Sequence, residues 1–246
     1  MNEKEQEALA VLQRAEAPMM AVMGALATLD RSTARFRELK LGIAANVTVD
    51  LLTTYLRRHA YLAGVRLQVS KGTYDDLLGD VQAHRAAGVD LLLILPFFDN
   101  LQPCWETQLQ SLEPAAVQAA QADYLSRLEL ALQASQGVGQ VLLLGAHLWN
   151  AGQQGAAGSP QQQALDAFNA GLVQAAAGHP QVRLLDTAGL LASFGARHAF
   201  DARFYYRAKA PYTAGFVDQL ARAVALATRS FGTAFHKVLV LACDNT

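Results

Sequence analysis

The sequence predicts one doubly wound α/β domain, a parallel sheet held between two layers of helices and preceded by a helical extension. Three observations carry that expectation. Short continuous runs of Val, Ile and Leu recur along the chain, and stretches of helical period separate most of them. Strands that are apolar on both faces need cover on both faces, and only β–α–β crossovers supply it, so the pairing is parallel. The composition agrees: 52% of the 246 residues are hydrophobic and 17% charged, enough apolar area for the core of one large domain.

Residues 1–38 read as the extension. From Glu3 to Asp30 the period is helical, with Leu9, Leu12, Met19, Met20, Met23 and Leu26 as the apolar stripe and Pro18 placed to kink or divide it. The Met cluster either packs on the main domain or forms a docking face, since Met-rich surfaces repack readily. The α/β domain spans 39–232. Its strands are expected at Leu39–Ala45, Val65–Val69, Val89–Leu95, Val141–Leu144 and Val182–Leu185, with a sixth run at Lys237–Leu241. Its helices are expected at Val49–Leu62, Tyr74–Ala87, Pro114–Ser135, Gln161–Ala177 and Ala214–Ser230. Right-handed crossovers leave few topologies. The expected one is a three-layer sandwich of the flavodoxin or SGNH-hydrolase kind, with strand order 2-1-3-4-5. Asn150–Ser159, rich in Gly and Gln, and His198–Tyr212, aromatic and basic, fit neither period and read as loops.

Composition narrows the function classes. A net charge of -1 leaves no basic face for nucleic acid, and Arg57-Arg58 reads as part of a solvated helix face. Cys104 and Cys243 form no CxxC and have no ligand-spaced histidine, so neither a disulfide framework nor a zinc site is expected. No uncharged apolar run reaches the roughly 18 residues that span a bilayer. The acidic start, MNEKEQEALAVL, lacks the features of a signal peptide. The expected location is the cytoplasm.

Ligands of open parallel sheets bind beyond the carboxyl ends of the strands. The polar residues that follow each expected strand are therefore the site candidates. Asn46, Asp99, Asn100, His147 and Asp201 are the catalytic candidates; Thr48, Arg203, Tyr206, Lys209 and Tyr212 are the substrate-binding ones. Arg and Lys in this set suit a phosphate or carboxylate. Each has a structural alternative: Thr48 or Asp50 as a helix cap, Asp99-Asn100 as turn formers, His147 as a satisfied loop histidine, and Asp186 as the cap of a helix over Ala188–Ser193. His59, His84 and His179 fall away from the cleft. No GxSxG elbow is present, and the end of the first strand offers Ala44-Ala45-Asn46 where a Ser–His–Asp hydrolase needs serine. An atypical esterase would have to use Thr48 or Cys104, helped by His147 or His198.

The segments Leu39–Leu56 (LKLGIAANVTVDLLTTYL), Asp90–Leu101 (DLLLILPFFDNL), Phe200–Phe216 (FDARFYYRAKAPYTAGF) and His236–Thr246 (HKVLVLACDNT) resemble the FkbH-like proteins. These join an SGNH-like N-terminal domain to a haloacid-dehalogenase (HAD) phosphatase domain of subfamily IIIC. The resemblance makes residues 233–246 the first strand and broken motif of that second domain. The family motif is Asp-x-Asp-Asn-Thr; Ala242 stands at the position of the nucleophile, and Asp244 is the remnant of the general acid–base. Removing a nucleophile costs on the order of a million-fold in rate, so the chain is not expected to be a phosphatase. Magnesium belongs to a complete HAD domain, and no cofactor is expected here. The resemblance also implies an acyl-carrier protein as partner and a small phosphorylated or acyl ligand, the whole protein placing a glyceryl unit on the carrier.

Overall fold

The computed structural model describes residues 2–149 and 158–229. The strand at Lys237–Leu241, the motif through Asp244 and most of the Asn150–Ser159 stretch lie outside the described residues. The chain begins with α1 (Glu3–Gln13) and α2 (Met19–Asp30), followed by β1 (Arg37–Ala45), α3 (Asp50–Leu62), β2 (Val65–Lys71), α4 (Leu77–Ala86) and β3 (Leu91–Leu95). A 3-10 turn at Phe98–Asn100 leads to α5 (Trp105–Gln108), α6 (Pro114–Ala134) and β4 (Gln140–Leu144). Then come α7 (Pro160–Ala177), β5 (Val182–Leu185), α8 (Thr187–Phe194), α9 (Ala196–Ala199), α10 (Ala202–Ala208) and α11 (Ala214–Arg229).

All five strands are parallel and lie in the order β2-β1-β3-β4-β5, the order the sequence predicts. Period-2 alternation then divides the core in two. Leu41, Ile43, Leu91, Leu93, Leu95 and Leu142 face α3 and α11, meeting Leu56, Phe216 and Leu220. Ala44, Leu92, Ile94, Val141 and Leu143 face α4, α6 and α7, meeting Val81, Leu128 and Phe168. Every residue of β3 is buried, as befits the middle strand of a sheet covered on both sides.

Local chemistry sets the element ends. Ser159 caps α7 by accepting from Gln162 N, with Pro160 in the first turn. Asp186 caps α8 through Gly189 N at 2.8 Å, the role its position predicts. Gly64 and Gly88 leave α3 and α4 with φ of +77° and +67°, a left-handed exit that suits glycine.

Three expectations need correction. Pro18 divides the N-terminal segment into two helices, and the buried side of α2 is Val22, Ala25, Leu26 and Leu29, while Met20 and Met23 are exposed. The segment is apolar nearly all round, so its sequence carries no phase. Arg57-Arg58 is not a solvated pair. Arg58 is buried, donating from Nε to Leu12 O (2.8 Å) and from Nη2 to Arg14 O (2.7 Å) at the end of α1, and Arg57 pairs with Asp30. These bonds and a small core around Leu12, Leu26, Leu29 and Tyr61 hold α1 and α2 against α3. Finally, His198–Tyr212 is no bare loop: it contains α10, capped by Asp201.

No helix among the described residues is long and apolar enough to cross a membrane.

Candidate functional site

The carboxyl ends of β1 and β3 are tied together by one side chain. β1 and β3 pair through Ala45 and Leu95, and the next residue, Asn46, continues the ladder. Its Oδ1 accepts from Phe97 N at 2.7 Å and its Nδ2 donates to Phe97 O at 3.1 Å. Asn46 is buried, so a carboxamide is well chosen: its oxygen satisfies the Phe97 N–H, and its amide joins Asn100 N (3.0 Å) as a second donor to Phe97 O.

Around that strut the other candidates pair with one another. Asn100 donates from Nδ2 to Asn46 O (2.7 Å) and to the Tyr74 hydroxyl (3.1 Å). Asp99 is buried; its Oδ1 accepts from Glu106 N and its Oδ2 from the Tyr205 hydroxyl, both at 2.7 Å. The same hydroxyl lies 2.7 Å from Asn100 Oδ1, so two acceptors share one proton. Burial first, then the Asp99 carboxylate, hold the Tyr205 hydroxyl far above the usual phenol range. Glu106 in turn accepts from Trp149 N at 2.9 Å, which links the loop after β3 to the loop after β4.

His147 follows β4. Its Nε2 lies 3.1 Å from the Tyr212 hydroxyl, and Nδ1 has no partner at hydrogen-bond distance. Burial pushes the imidazole down to about 4, with the Gly145 backbone only partly opposing it. The ring is therefore neutral near pH 7. Phe97 sits between these groups, its ring centroid 5.3 Å from that of Tyr205 and 5.9 Å from those of His147 and Tyr212.

The remaining candidates lie on the rim. Thr48 does not cap α3, whose N-cap is Val49 with no side-chain bond. Its hydroxyl donates to Ala208 O at 2.6 Å and its amide to Lys209 O at 2.9 Å. Lys209 ends α10 in the left-handed region, φ 53°, with Nζ 4.8 Å above the Tyr205 ring. Asp201 caps α10 and pairs with Arg203, which is otherwise solvent-exposed. Tyr206, the tyrosine singled out from the sequence, is 70% exposed, whereas its neighbour Tyr205 is 1% exposed and makes the buried bonds. The helical period of α10 separates the two, and reading the stretch as aperiodic hides it. Asp244 lies outside the described residues.

Beside this polar knot is a cavity of about 420 Å³, walled by the start of α3, by α10 and by α11. Leu51, Leu52, Leu95, Val217 and Leu220 give it an apolar lining, and Thr48, Asp50, Asp201, Tyr212 and Thr213 also touch it. A second hollow, of about 500 Å³, lies at the amino ends of β1 and β2 between α3 and α11, the end of a parallel sheet where ligands do not gather.

Among the described residues of the site, the hydroxyls of Thr48 and Thr213 are bonded to backbone carbonyls and not to a histidine ring. Cys104 is exposed in a left-handed conformation at the start of α5. The one serine–histidine contact among the described residues, Ser70–His84 at 3.0 Å, lies between β2 and α4, and neither residue lines a described cavity. His59 is paired with Asp218 and His179 with Glu129. Among the described residues no group of three or more His, Cys, Asp or Glu is gathered to hold a metal ion.

No protein-family model matches the sequence, and no curated protein matches it. Solved structures do match in fold. The N-terminal part of the protein BF1531 from Bacteroides fragilis, containing a phosphatase domain complexed with Mg, superposes with a TM-score of 0.65 at 13% identity, over 89% of this chain and 55% of that one. This chain thus spans about half the length of that structure. Axe2, an acetylxylan esterase from Geobacillus stearothermophilus, superposes with a TM-score of 0.54 at 16% identity, over 81% of this chain and 96% of that one. At these identities the likeness is one of fold: this chain's parallel sheet flanked by helices resembles the folds of that acetylxylan esterase and of that phosphatase-containing protein.

Proposed function

We propose that this chain is the acyl- or carrier-handling domain of an FkbH-like protein, a binding domain that has no esterase nucleophile of its own. One observation carries the reading. Asn46, at the end of β1 where a hydrolase of this fold places its serine, spends both ends of its carboxamide on the Phe97 backbone. Around it Asp99, Asn100 and Tyr205 are likewise committed to one another. The partner is an acyl-carrier protein. Carrier docking draws on α10, where Arg203 and Arg207 stand beside the exposed rings of Phe204 and Tyr206. Domain boundaries near residues 38 and 232, residues 233–246 as the first strand and broken motif of a phosphatase domain, and a cytoplasmic location belong to the same proposal.

Calorimetry with pantetheinylated carrier protein, glyceryl thioester and glycerate phosphates tests it, alongside p-nitrophenyl acetate hydrolysis. The expected result is binding of carrier and no turnover above background. Turnover that disappears in Thr48→Ala or Cys104→Ala would instead establish an atypical SGNH-type esterase or acyltransferase. Absence of any binding would sink the carrier reading.

A further inference from the structure

The cavity of about 420 Å³ under α10 falls within the roughly 300–1,000 Å³ typical of small-ligand sites. Its selectivity follows from how its polar groups are used. Thr48 gives its hydroxyl to Ala208 O, Asp50 pairs with Lys71, Asp201 pairs with Arg203, Thr213 gives its hydroxyl to His198 O, and Tyr212 meets His147. Each polar side chain of the lining therefore already has a partner. The side-chain hydroxyl donors Thr48 and Thr213 are spent on backbone carbonyls, so a polar guest such as a glyceryl unit would leave its hydration shell and recover only part of its hydrogen bonds, from acceptors such as Asp50. A hydrocarbon chain gives up no hydrogen bonds on entry and gains the burial of its own surface and that of Leu51, Leu52, Val217 and Leu220. The charged side chains of the lining are Asp50 and Asp201, each held by a cation outside it, Lys71 and Arg203, so the site offers no free charge to a guest. Phe204 and Ala214, both lining the cavity and both exposed, mark where it opens to solvent.

We propose that this cavity is an acyl-chain site: it takes an unbranched hydrocarbon chain and leaves the carbonyl head at the mouth beside Phe204 and Ala214. The proposal rests on the acyl-handling reading and sharpens it, because the chain favoured here is apolar and the glyceryl unit is not.

The test is calorimetry on the full chain with acetyl, butyryl, hexanoyl and glyceryl thioesters of N-acetylcysteamine, and with free hexanoate. Affinity should rise about fourfold for each methylene added, the equivalent of its burial, and the glyceryl thioester should bind no better than acetyl. A flat series, or a glyceryl thioester that binds tightest, overturns the site. Hexanoate binding as well as its thioester makes a free acid the occupant; tight binding of the thioester alone makes it a carried acyl group. Both outcomes support the cavity. Ala214→Phe, at an exposed position, should fill the mouth and abolish the chain-length dependence. Independently of any variant, a hexanoyl probe with a terminal diazirine should label peptides containing Leu51–Leu52 or Val217–Leu220 in the wild-type chain, and labelling elsewhere counts against the site. Carrier protein that binds while the acyl series stays flat overturns the cavity and leaves the carrier reading intact. A rising series without carrier binding supports the cavity and removes the carrier.

Discussion

Two adjacent regions at the carboxyl end of the sheet use polar groups in opposite ways. The knot around Asn46 gathers Asp99, Asn100, Tyr74, Tyr205 and Glu106 into one hydrogen-bonded set. The cavity across Tyr212 is lined by side chains that are apolar or already paired. The knot holds the segments after four strands, β1 to β4, in place, and the cavity has room for a guest. A cluster of Asp, Asn, His and Tyr at the end of a parallel sheet invites a catalytic interpretation, yet its bonds point inward. The lesson is to ask which polar atoms remain unspent before assigning chemistry to a constellation.

Substitutions can break that contrast, and the largest effect is expected at Asn46. Asn46→Ala would leave Phe97 N–H buried without its acceptor and take from Phe97 O one of its two donors, the other being Asn100 N, a cost of about 2–4 kcal/mol. Urea unfolding should show it as a lower midpoint at unchanged slope. A variant as stable as wild type would mean that the strut carries no weight.

His147 gives the next effect, through pH. The folded imidazole takes its proton near pH 4, the unfolded one near about 6.5. Between those values the unfolded chain holds more protons, so stability is full above about pH 6.5 and falls as the pH drops toward 4, by roughly 3 kcal/mol. Subtracting the profile of His147→Gln from that of wild type should isolate this slope; parallel profiles would refute it.

Tyr205→Phe keeps the ring against Phe97 and Trp149 but removes the donor to Asp99, at a cost of about 1–2 kcal/mol. Binding of acyl thioesters should be unaffected, because the Tyr205 hydroxyl belongs to the knot and not to the cavity. The smallest change is expected from Thr48→Val, about 1 kcal/mol or less for the lost bond to Ala208 O. Hexanoyl thioester should bind it at least as tightly as wild type. Weaker binding would make the Thr48 hydroxyl part of the ligand site.

Much of this architecture was legible in the sequence. Leu91–Leu95 and Val141–Leu144 are apolar enough to demand burial on both faces, and the alternation with helices leaves few strand orders. The candidates Asn46, Asp99, Asn100 and His147 follow from their places after strands. Their division of labour was not legible. Tyr205 and Tyr206 are adjacent and chemically identical, and only the turn of α10 decides which one is buried. Glu106 and Trp149 join the knot through backbone amides, which leave no mark in residue type. In α2 the methionines misled because no polar face fixes the phase. The cavity is a product of spacing between α3 and the pair α10 and α11, from which α3 is separated by more than a hundred residues of sequence.

Methyl and side-chain amide NMR spectra of the wild-type chain, titrated with hexanoyl-N-acetylcysteamine, set the two regions against each other in one measurement. The account predicts shifts in the methyl groups of Leu51, Leu52, Val217 and Leu220, with the Asn46 and Asn100 side-chain amides left where they are. Shifts in those two amides, with the methyl groups unmoved, would contradict it.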